Sequence, residues 1–515
     1  MSTSDALETE IKLAASPAML EALREHPLLA GPDRVDRLVT TYFDTADRRL
    51  QSAGASLRLR ANGKRREQTI KLPARTDSIV VRGVWTVAAI GKAPDIGKFA
   101  PEPRAAIERL LDGEGVAPLA ETRIDRTVRQ VTQRAAAIEI AFDRGTIRAG
   151  TREAAVCELE LELVAGSLAD LVDLALALPL GPDLQWSVAS KSGRALALAD
   201  GTVPAAAHAT PAGVSRDIDA GRGFQAIAWS CLSHLLENAP LVISTGDPEA
   251  LHQCRVAIRR LRAGIGLFGP LFANDAQSEV LNAELMAAAN ALGPARDAHV
   301  LLERLAAVPA SEGQDCAELL AHVRSMAEQA MQSAQAFLAG AEFQRLLFAF
   351  TLWVERGDWL EQDCSAQLPQ FAAKALRKRR RKIRRMGSDP AAMAADERHA
   401  LRIAVKKLRY AADFLAPLYP ANQAARDLRR FKALAAKVQD RLGELHDLDV
   451  LAEVVLHFGN DALFAGLEPI AAARLSAQLE ALLPALSASH GKLLKRAARS
   501  VTRLDAARSW WKADL

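Results

Sequence analysis

The chain has 515 residues, which at roughly 100–200 residues per domain excludes a single small module and allows two to four domains with buried cores. Half of its residues are hydrophobic and a quarter are charged, so collagen-like and wholly disordered chains are excluded. Lys plus Arg number 66 against 62 Asp plus Glu, and with a net charge of +4 any strong anion-binding field must come from local clustering. Aromatic residues make up only 5%, which argues against base recognition by stacked rings and makes nucleic acid an unlikely partner.

From about residue 5 to 200, short segments alternate strictly between apolar and polar positions: ETEIKL, SLRLR, TIKL, VRGVWTV, IEIAFD and CELELEL, with Gly, Pro, Asn or Asp between them. This pattern predicts a mostly antiparallel β domain. Helices are expected at about 17–26, 102–111 and 167–178, where apolar residues return every three or four positions. The stretch 200–215, DGTVPAAAHATPAGVS, has no apolar periodicity and reads as a linker. Beyond about 220 the chain is rich in Ala, Leu and Arg with a 3.6-residue period, which predicts helix to the end. The organisation is therefore an α+β multidomain chain: a β domain over 1–200, a linker over 201–218 and a helical domain over 219–515.

The helical part repeats itself. LHQCRVAIRRLRAGIGLF contains His252, Arg255, Arg259 and Arg262, and RHALRIAVKKLRYAADFL contains His399, Arg402, Lys406 and Arg409, each 147 positions further on. The segments that follow, with Arg296 and Asp297 and then His446 and Asp447, correspond at an offset of 150. Duplication of one helical unit, at about 225–345 and 370–510, accounts for both.

Cys157, Cys231, Cys254, Cys316 and Cys364 are scattered, odd in number and never in CxxC spacing, so neither a disulfide framework nor a zinc cluster is indicated. A reducing cytoplasm is the expected location. Residues 1–20 lack a basic run followed by an apolar stretch, and LVDLALALPL at 171–180 is short and interrupted by Asp173. No signal peptide, transmembrane helix or membrane partner is expected.

In the β domain the polar face of almost every strand is ionisable and sorted by sign. Glu8, Glu10 and Lys12 share a face, as do Arg58 and Arg60; Lys71 and Arg82 follow, then Glu139 with Asp143, and Glu158 with Glu160 and Glu162. For a single strand, a solvated face with ordinary cross-strand ion pairs is the usual explanation. Six strands sorted this way favour a barrel with its apolar faces under helices and its charges in the lumen. Such a lumen suits a ligand with many negative charges plus Mg²⁺ or Mn²⁺, because carboxylates take the hard metal while Arg and Lys take phosphate oxygens. Phosphoryl transfer needs little more than phosphates held in line, charge neutralised and a water oriented, for which Glu10 is a candidate.

ETEIK matches the ExExK signature of the CYTH superfamily, the triphosphate tunnel metalloenzymes. YFDT at 42–45, LRLR at 57–60, IKL at 70–72, FDRG at 142–145, ELELEL at 158–163 and SKSGRAL at 190–196 fall in that family's order. Residues 5–200 thus resemble this family. The resemblance implies an eight-stranded antiparallel tunnel with flanking helices that hydrolyses inorganic triphosphate or short polyphosphate with Mg²⁺ or Mn²⁺. By position it implies Glu8, Glu10, Glu158 and Glu160 as metal-binding carboxylates, with Asp143 near the metals. It implies Lys12, Arg58, Arg60, Lys71, Arg82, Arg126 and Lys191 as the phosphate clamp, Glu10 and Lys12 being the catalytic pair. One departure stands out: RGVWT places Val84 and Thr86 where the family commonly carries acids. A binding protein with a degenerate tunnel is the alternative reading.

On an ideal helix His252, Arg255, Arg259 and Arg262 fall within roughly a quarter of the circumference, and the repeat copy does the same. No acid lies within either stripe, and KALRKRRRKIRR at 374–385 adds nine basic residues in twelve. Together they predict a surface for a long polyanion, bound by counterion release. The histidines are open to three readings: core-edge hydrogen bonder, anion contact or metal ligand. The twofold pattern H-x₂-R-x₃-[RK]-x₂-R resembles the CHAD domain over about 220–510. That resemblance implies two pseudo-symmetric four-helix bundles around a basic groove that binds inorganic polyphosphate, with association to polyphosphate granules. The implied contacts are His252, Arg255, Arg259, Arg262, His399, Arg402, Lys406 and Arg409, with Arg377, Arg380, Arg381 and Arg384 in addition. Asp297, Asp447 and Asp449 read as structural partners of these bases, and the oligomeric state is left open.

Overall fold

The computed structural model describes residues 6–73, 80–202, 204–306, 317–361, 364–387, 389–419, 423–456, 470–475, 477–478 and 490–512. The first part runs β1 (Ala6–Ala15), α1 (Pro17–Arg24), β2 (Arg34–Asp44), α2 (Arg49–Ser52), β3 (Ser56–Asn62), β4 (Arg65–Pro73), β5 (Val81–Ala88), α3 (Pro101–Leu111), β6 (Ala117–Gln133), β7 (Ala136–Ala149), β8 (Arg152–Ala165), α4 (Leu168–Ala177), β9 (Leu184–Ser187) and α5 (Lys191–Asp200). Strands pair in the order β5-β4-β3-β2-β6-β7-β8-β1, and β1 returns to β5, so eight antiparallel strands close into a barrel. β5 pairs with Ala6–Thr9 of β1, and β9 pairs with Lys12–Ala15 as an extra edge strand.

The register converts sequence alternation into two surfaces. Glu10 and Lys12 lie opposite Glu162 and Glu160, Asp143 lies opposite both Arg126 and Glu158, and Thr40 and Tyr42 lie opposite Arg60 and Arg58. These side chains face inward. The alternate residues Ile11, Leu13, Leu57, Ile70, Ile138, Ile140, Leu159 and Leu161 are fully buried on the outer face. There Ile107 and Leu111 of α3, for example, pack with Leu57 and Ile70. Each such side chain contributes about 1.5–3 kcal/mol, so the outer wall stabilises the barrel while the lumen stays polar. Gly145 is required where β7 meets β6: a Cβ there would lie 1.9 Å from the Arg123 carbonyl oxygen. In the YFDT segment, buried Asp44 accepts from the backbone N–H groups of Thr45, Leu50 and Gln51 and so caps α2.

The expected helices appear as α1, α3 and α4. β2, β6 and β9, and the helix α5, lie outside the alternating segments named from sequence. Buried inward residues such as Thr40 and Thr122 break the ionisable alternation that marks the other strands.

The second part is helical: α6 (Ala220–Thr245), α7 (Pro248–Phe268), α8 (Ala276–Ala291), α9 (Gly293–Ala306), α10 (Ala317–Ala339), α11 (Ala341–Arg356), α12 (Leu368–Met386), α13 (Ala395–Phe414), α14 (Gln423–Leu456) and α15 (His490–Asp505). Among the described residues its only strand-like pairing is the bridge between Asp219 and Gln367. α6, rather than 171–180, is long and apolar enough to cross a membrane by length and composition, and 67% of its apolar window is buried in the fold. The chain divides into two compact units. The first comprises Met1–His208, Trp229–Cys254 and Gln335–Asp358, and the second Ala209–Ala228, Arg255–Ala334 and Trp359–Leu515. Much of α6 and all of α11 therefore belong with the barrel.

Candidate active site and basic cluster

The barrel holds an open cavity of about 300 Å³, lined among others by Glu8, Glu10, Lys12, Arg58, Arg60, Lys71, Arg82, Arg126, Glu160 and Lys191. The sequence-derived clamp thus converges on one space. Lys12 Nζ lies 2.5 Å from Glu10 and 3.7 Å from Glu160, and Lys71 Nζ lies 2.6 Å from Glu8. Arg126 binds Asp143 through both Nε (2.7 Å) and Nη2 (2.6 Å), with Nη2 also 2.5 Å from Glu160. Lys191 contacts Asp143 at 2.5 Å, Glu160 at 3.0 Å and Glu158.

Charge follows from these partners. Burial opposes ionisation of Glu160, yet Lys191, Arg126 and Lys12 hold its carboxyl well below the usual range. Burial likewise opposes the charge on Lys191, but Glu160, Asp143 and Glu158 raise its pKa. Arg60, buried beside Arg58 and Arg126, is pushed down to about 10 and donates from Nε to Thr40 Oγ1 at 3.2 Å. Burial lowers Lys71 despite Glu10 and Glu8.

Two of the candidate metal ligands sit deeper than the others. Asp143 and Glu158 do not line the cavity. Asp143 is fully buried between Arg126 and Lys191, and Glu158 binds Lys191 and, at 2.9 Å, Arg194 of α5. Strand alternation sets the face of a residue but not its depth, and α5 closes over these two. Sequence reasoning also passed over lining residues. Glu162, noticed on its face but assigned no role, joins Arg34, Asp36, Arg65, Glu139, Ser190 and Ser192 in the wall. Glu162 is pushed up to about 7 by burial and by Glu8, Glu10 and Glu139. Val84 lies opposite Lys71, whose acid is instead Glu8, and Thr86 Oγ1 sits 3.1 Å from Thr69 Oγ1.

The chemistry of the donors identifies where a divalent cation fits. Oxygens of Asp143, Glu158 and Glu160 come within 4.8 Å of one another, but Lys191 already engages all three. Glu8, Glu10, Glu160 and Glu162 are hard donors that line the cavity, with the surplus negative charge that raises Glu162, and Glu8, Glu10 and Glu160 are ion-paired just as the buried triad is. Both sets offer the hard oxygen donors that a divalent cation takes.

In the second unit the two repeat stripes meet. Lys406 of α13 is pushed down to about 7, first by burial and then by Arg259, Arg402, Arg409 and Arg255. The buried Nε atoms of Arg255, Arg259, Arg402 and Arg409 have no hydrogen-bond partner among the described residues, nor has His399 Nδ1. The nearest acid recorded there, Asp297, stands 3.9 Å from Arg255 and is itself largely exposed. The His399 ring lies 4.5 Å from that of His446. Arg262 donates to Asn282, and Arg262, Arg379 and Lys382 lower the pKa of Lys407, behind its burial. His252, half-buried on α7, counts with the barrel unit. Asp447 and Asp449 lie outside the described side chains.

The basic run of α12 divides. Arg377 and Arg381 are exposed. Arg380 is buried, with Nη1 donating to Ser509 Oγ at 2.9 Å and Nη2 to the Asp505 carbonyl at 2.7 Å, over the Trp511 ring. Arg384 pairs with Asp505 at 2.6 Å. Arg380 and Arg384 thus fasten the C-terminal segment.

A closed β barrel with an ion-paired lumen and a helical part in which two copies of a basic stripe converge define a two-part α+β protein. The family model of the CYTH domain matches residues 6–191, and that of the CHAD domain matches residues 226–456. The chain therefore carries a CYTH domain followed by a CHAD domain. It is 32% identical over 196 residues to the inorganic triphosphatase of Haemophilus influenzae, a match covering 36% of this chain and 53% of that protein. The chain thus spans about half the length of that relative. Among solved structures, the CHAD domain of Ricinus communis is 26% identical, with 61% of this chain and 98% of that chain covered at a TM-score of 0.45. An adenylyl cyclase homologue from Hippeastrum, described as dominantly a triphosphatase, is 20% identical, with 38% and 97% covered at a TM-score of 0.26.

Proposed function

We propose that the barrel hydrolyses inorganic triphosphate or short polyphosphate with Mg²⁺ or Mn²⁺, and that the basic cluster of the second unit binds inorganic polyphosphate. The observation that carries the first half is the lumen itself: clamp cations and carboxylates, ion-paired among themselves, line one cavity. Arg58, Arg60, Arg126, Lys71 and Lys12 hold the phosphate chain and stabilise charge developing on it. Glu8, Glu10, Glu160 and Glu162 would hold the cation, which would supply charge neutralisation and make water easier to deprotonate. Glu10, beside Lys12, orients the attacking water. The second half rests on five converging basic residues, four of which, Arg255, Arg259, Arg402 and Arg409, have a buried Nε without a hydrogen-bond partner among the described residues, an arrangement that a multivalent anion satisfies. Val84 and Thr86 favour one second reading, a tunnel that holds triphosphate without turnover. The cytoplasm, at polyphosphate stores, is the proposed place of action.

Two variant sets of the full-length protein test this division of labour. Glu10→Ala with Glu160→Ala should abolish phosphate release and leave polyphosphate capture intact. Neutralising Arg255, Arg259, Arg402 and Lys406 should do the reverse. The reading fails if the first set weakens capture and the second does not.

A further inference from the structure

α11 comes from the part of the sequence that reads as helical domain, yet it packs on the barrel. β9 is an edge strand, and an edge leaves backbone donors without a ladder partner. The Trp186 N–H donates to Gln344 Oε1 at 2.9 Å, and Gln344 is itself 3% exposed, with Nε2 donating to the Leu338 carbonyl at 3.1 Å. The Trp186 ring stacks on Phe348 at 4.5 Å and 11°, both rings being buried. The same helix reaches both ends of α4: Arg345 donates to the Leu176 carbonyl and Arg356 to Ser167 Oγ. A buried glutamine that satisfies one strand amide, next to a stacked ring pair, fixes a strand in register as well as in place.

β9 adjoins the chemistry on two sides. Its Ser187 lies opposite Lys12, and its Trp186 opposite Leu13. Four residues past its end comes Lys191, flanked by Ser190 and Ser192 in the cavity wall, with Ser190 Oγ capping α5 through the Gly193 N–H. We infer that α11 is a positioning element of the tunnel: Gln344 and Phe348 hold β9, and β9 sets the two lumen lysines Lys12 and Lys191. This rests on the proposed triphosphatase reading only for its kinetic consequence.

The test uses the full-length protein carrying Gln344→Met, which keeps side-chain length and removes the acceptor, with Phe348→Leu as a second variant should the first not fold. Amide hydrogen exchange at Trp186 should accelerate at least roughly tenfold, as expected for a lost buried hydrogen bond, and the acceleration should extend to Lys191–Gly193. The KM for triphosphate should rise roughly tenfold, more than kcat falls, with polyphosphate capture unchanged. A Lys191→Ala background should absorb most of the kinetic effect. Acceleration confined to Trp186, or an unchanged KM, would make α11 mere scaffold and overturn the inference. A wild-type protein that released no phosphate would sink the triphosphatase reading instead, while the spread of exchange to Lys191–Gly193 would still decide the role of α11.

Discussion

Lys406 gives the basic cluster a dependence on pH that can be worked out in advance. Its pKa is lowered to about 7 by burial and by Arg259, Arg402, Arg409 and Arg255. A bound polyanion stabilises the charged form and raises that pKa, so binding takes up a proton and weakens as pH rises through 7. If binding requires charged Lys406, apparent affinity scales with the charged fraction of the free protein. That fraction is about three in four at pH 6.5 and about one in eleven at pH 8, an approximately eightfold loss of affinity, or about 1.2 kcal/mol. His399 adds little in this window, because burial, His446, Arg402 and Lys406 lower its pKa below the ordinary value. Calorimetric titration of long-chain polyphosphate at fixed ionic strength measures the effect directly. Lys406→Arg, whose guanidinium stays charged, should flatten the profile and control for titration of the chain ends. A flat wild-type profile, or a slope that persists in Lys406→Arg, would refute the reasoning.

Two further predictions concern buried charge. Asp143→Ala leaves Arg126 and Lys191 short of a buried partner, and a loss of about 3–5 kcal/mol is expected for the barrel, read as a lowered midpoint in urea; an unchanged midpoint would contradict the clasp assigned to Asp143. Arg380→Ala should lower stability through loss of its hold on Asp505, Ala507 and Ser509, while polyphosphate affinity measured on the folded variant stays within about twofold, the size of a surface substitution; a large specific loss of affinity would return Arg380 to the binding surface.

The barrel was legible because a period of two is hard to mistake when one face is charged, and Glu8, Glu10, Arg58, Arg60 and Glu160 all fall in its lumen. Periodicity carries no information on depth along the barrel axis. It therefore does not show that Asp143 and Glu158 lie behind the cavity wall, where α5 brings Lys191 onto both. β2 and β6 were harder to see because Thr40 and Thr122 face inward where other strands place charge. On α12, helical spacing groups Arg377, Arg380, Arg381 and Arg384 in one basic run. What separates them is Asp505, more than a hundred residues away in sequence. Nothing local in the α11 sequence points Gln344 and Phe348 at β9, since that contact depends wholly on tertiary packing. The repeated stripe, by contrast, was legible because duplication shows itself by subtraction, and Lys406 lies among arginines of both copies.

The central claim, that the lumen turns triphosphate over, is tested most directly by phosphate release from inorganic triphosphate by the full-length protein. The assay compares Mg²⁺ or Mn²⁺ with EDTA and the wild type with Glu10→Ala. The account predicts release that requires the metal and is lost in the variant. No release with either metal despite measurable triphosphate binding, or release indifferent to EDTA and to Glu10→Ala, would contradict it.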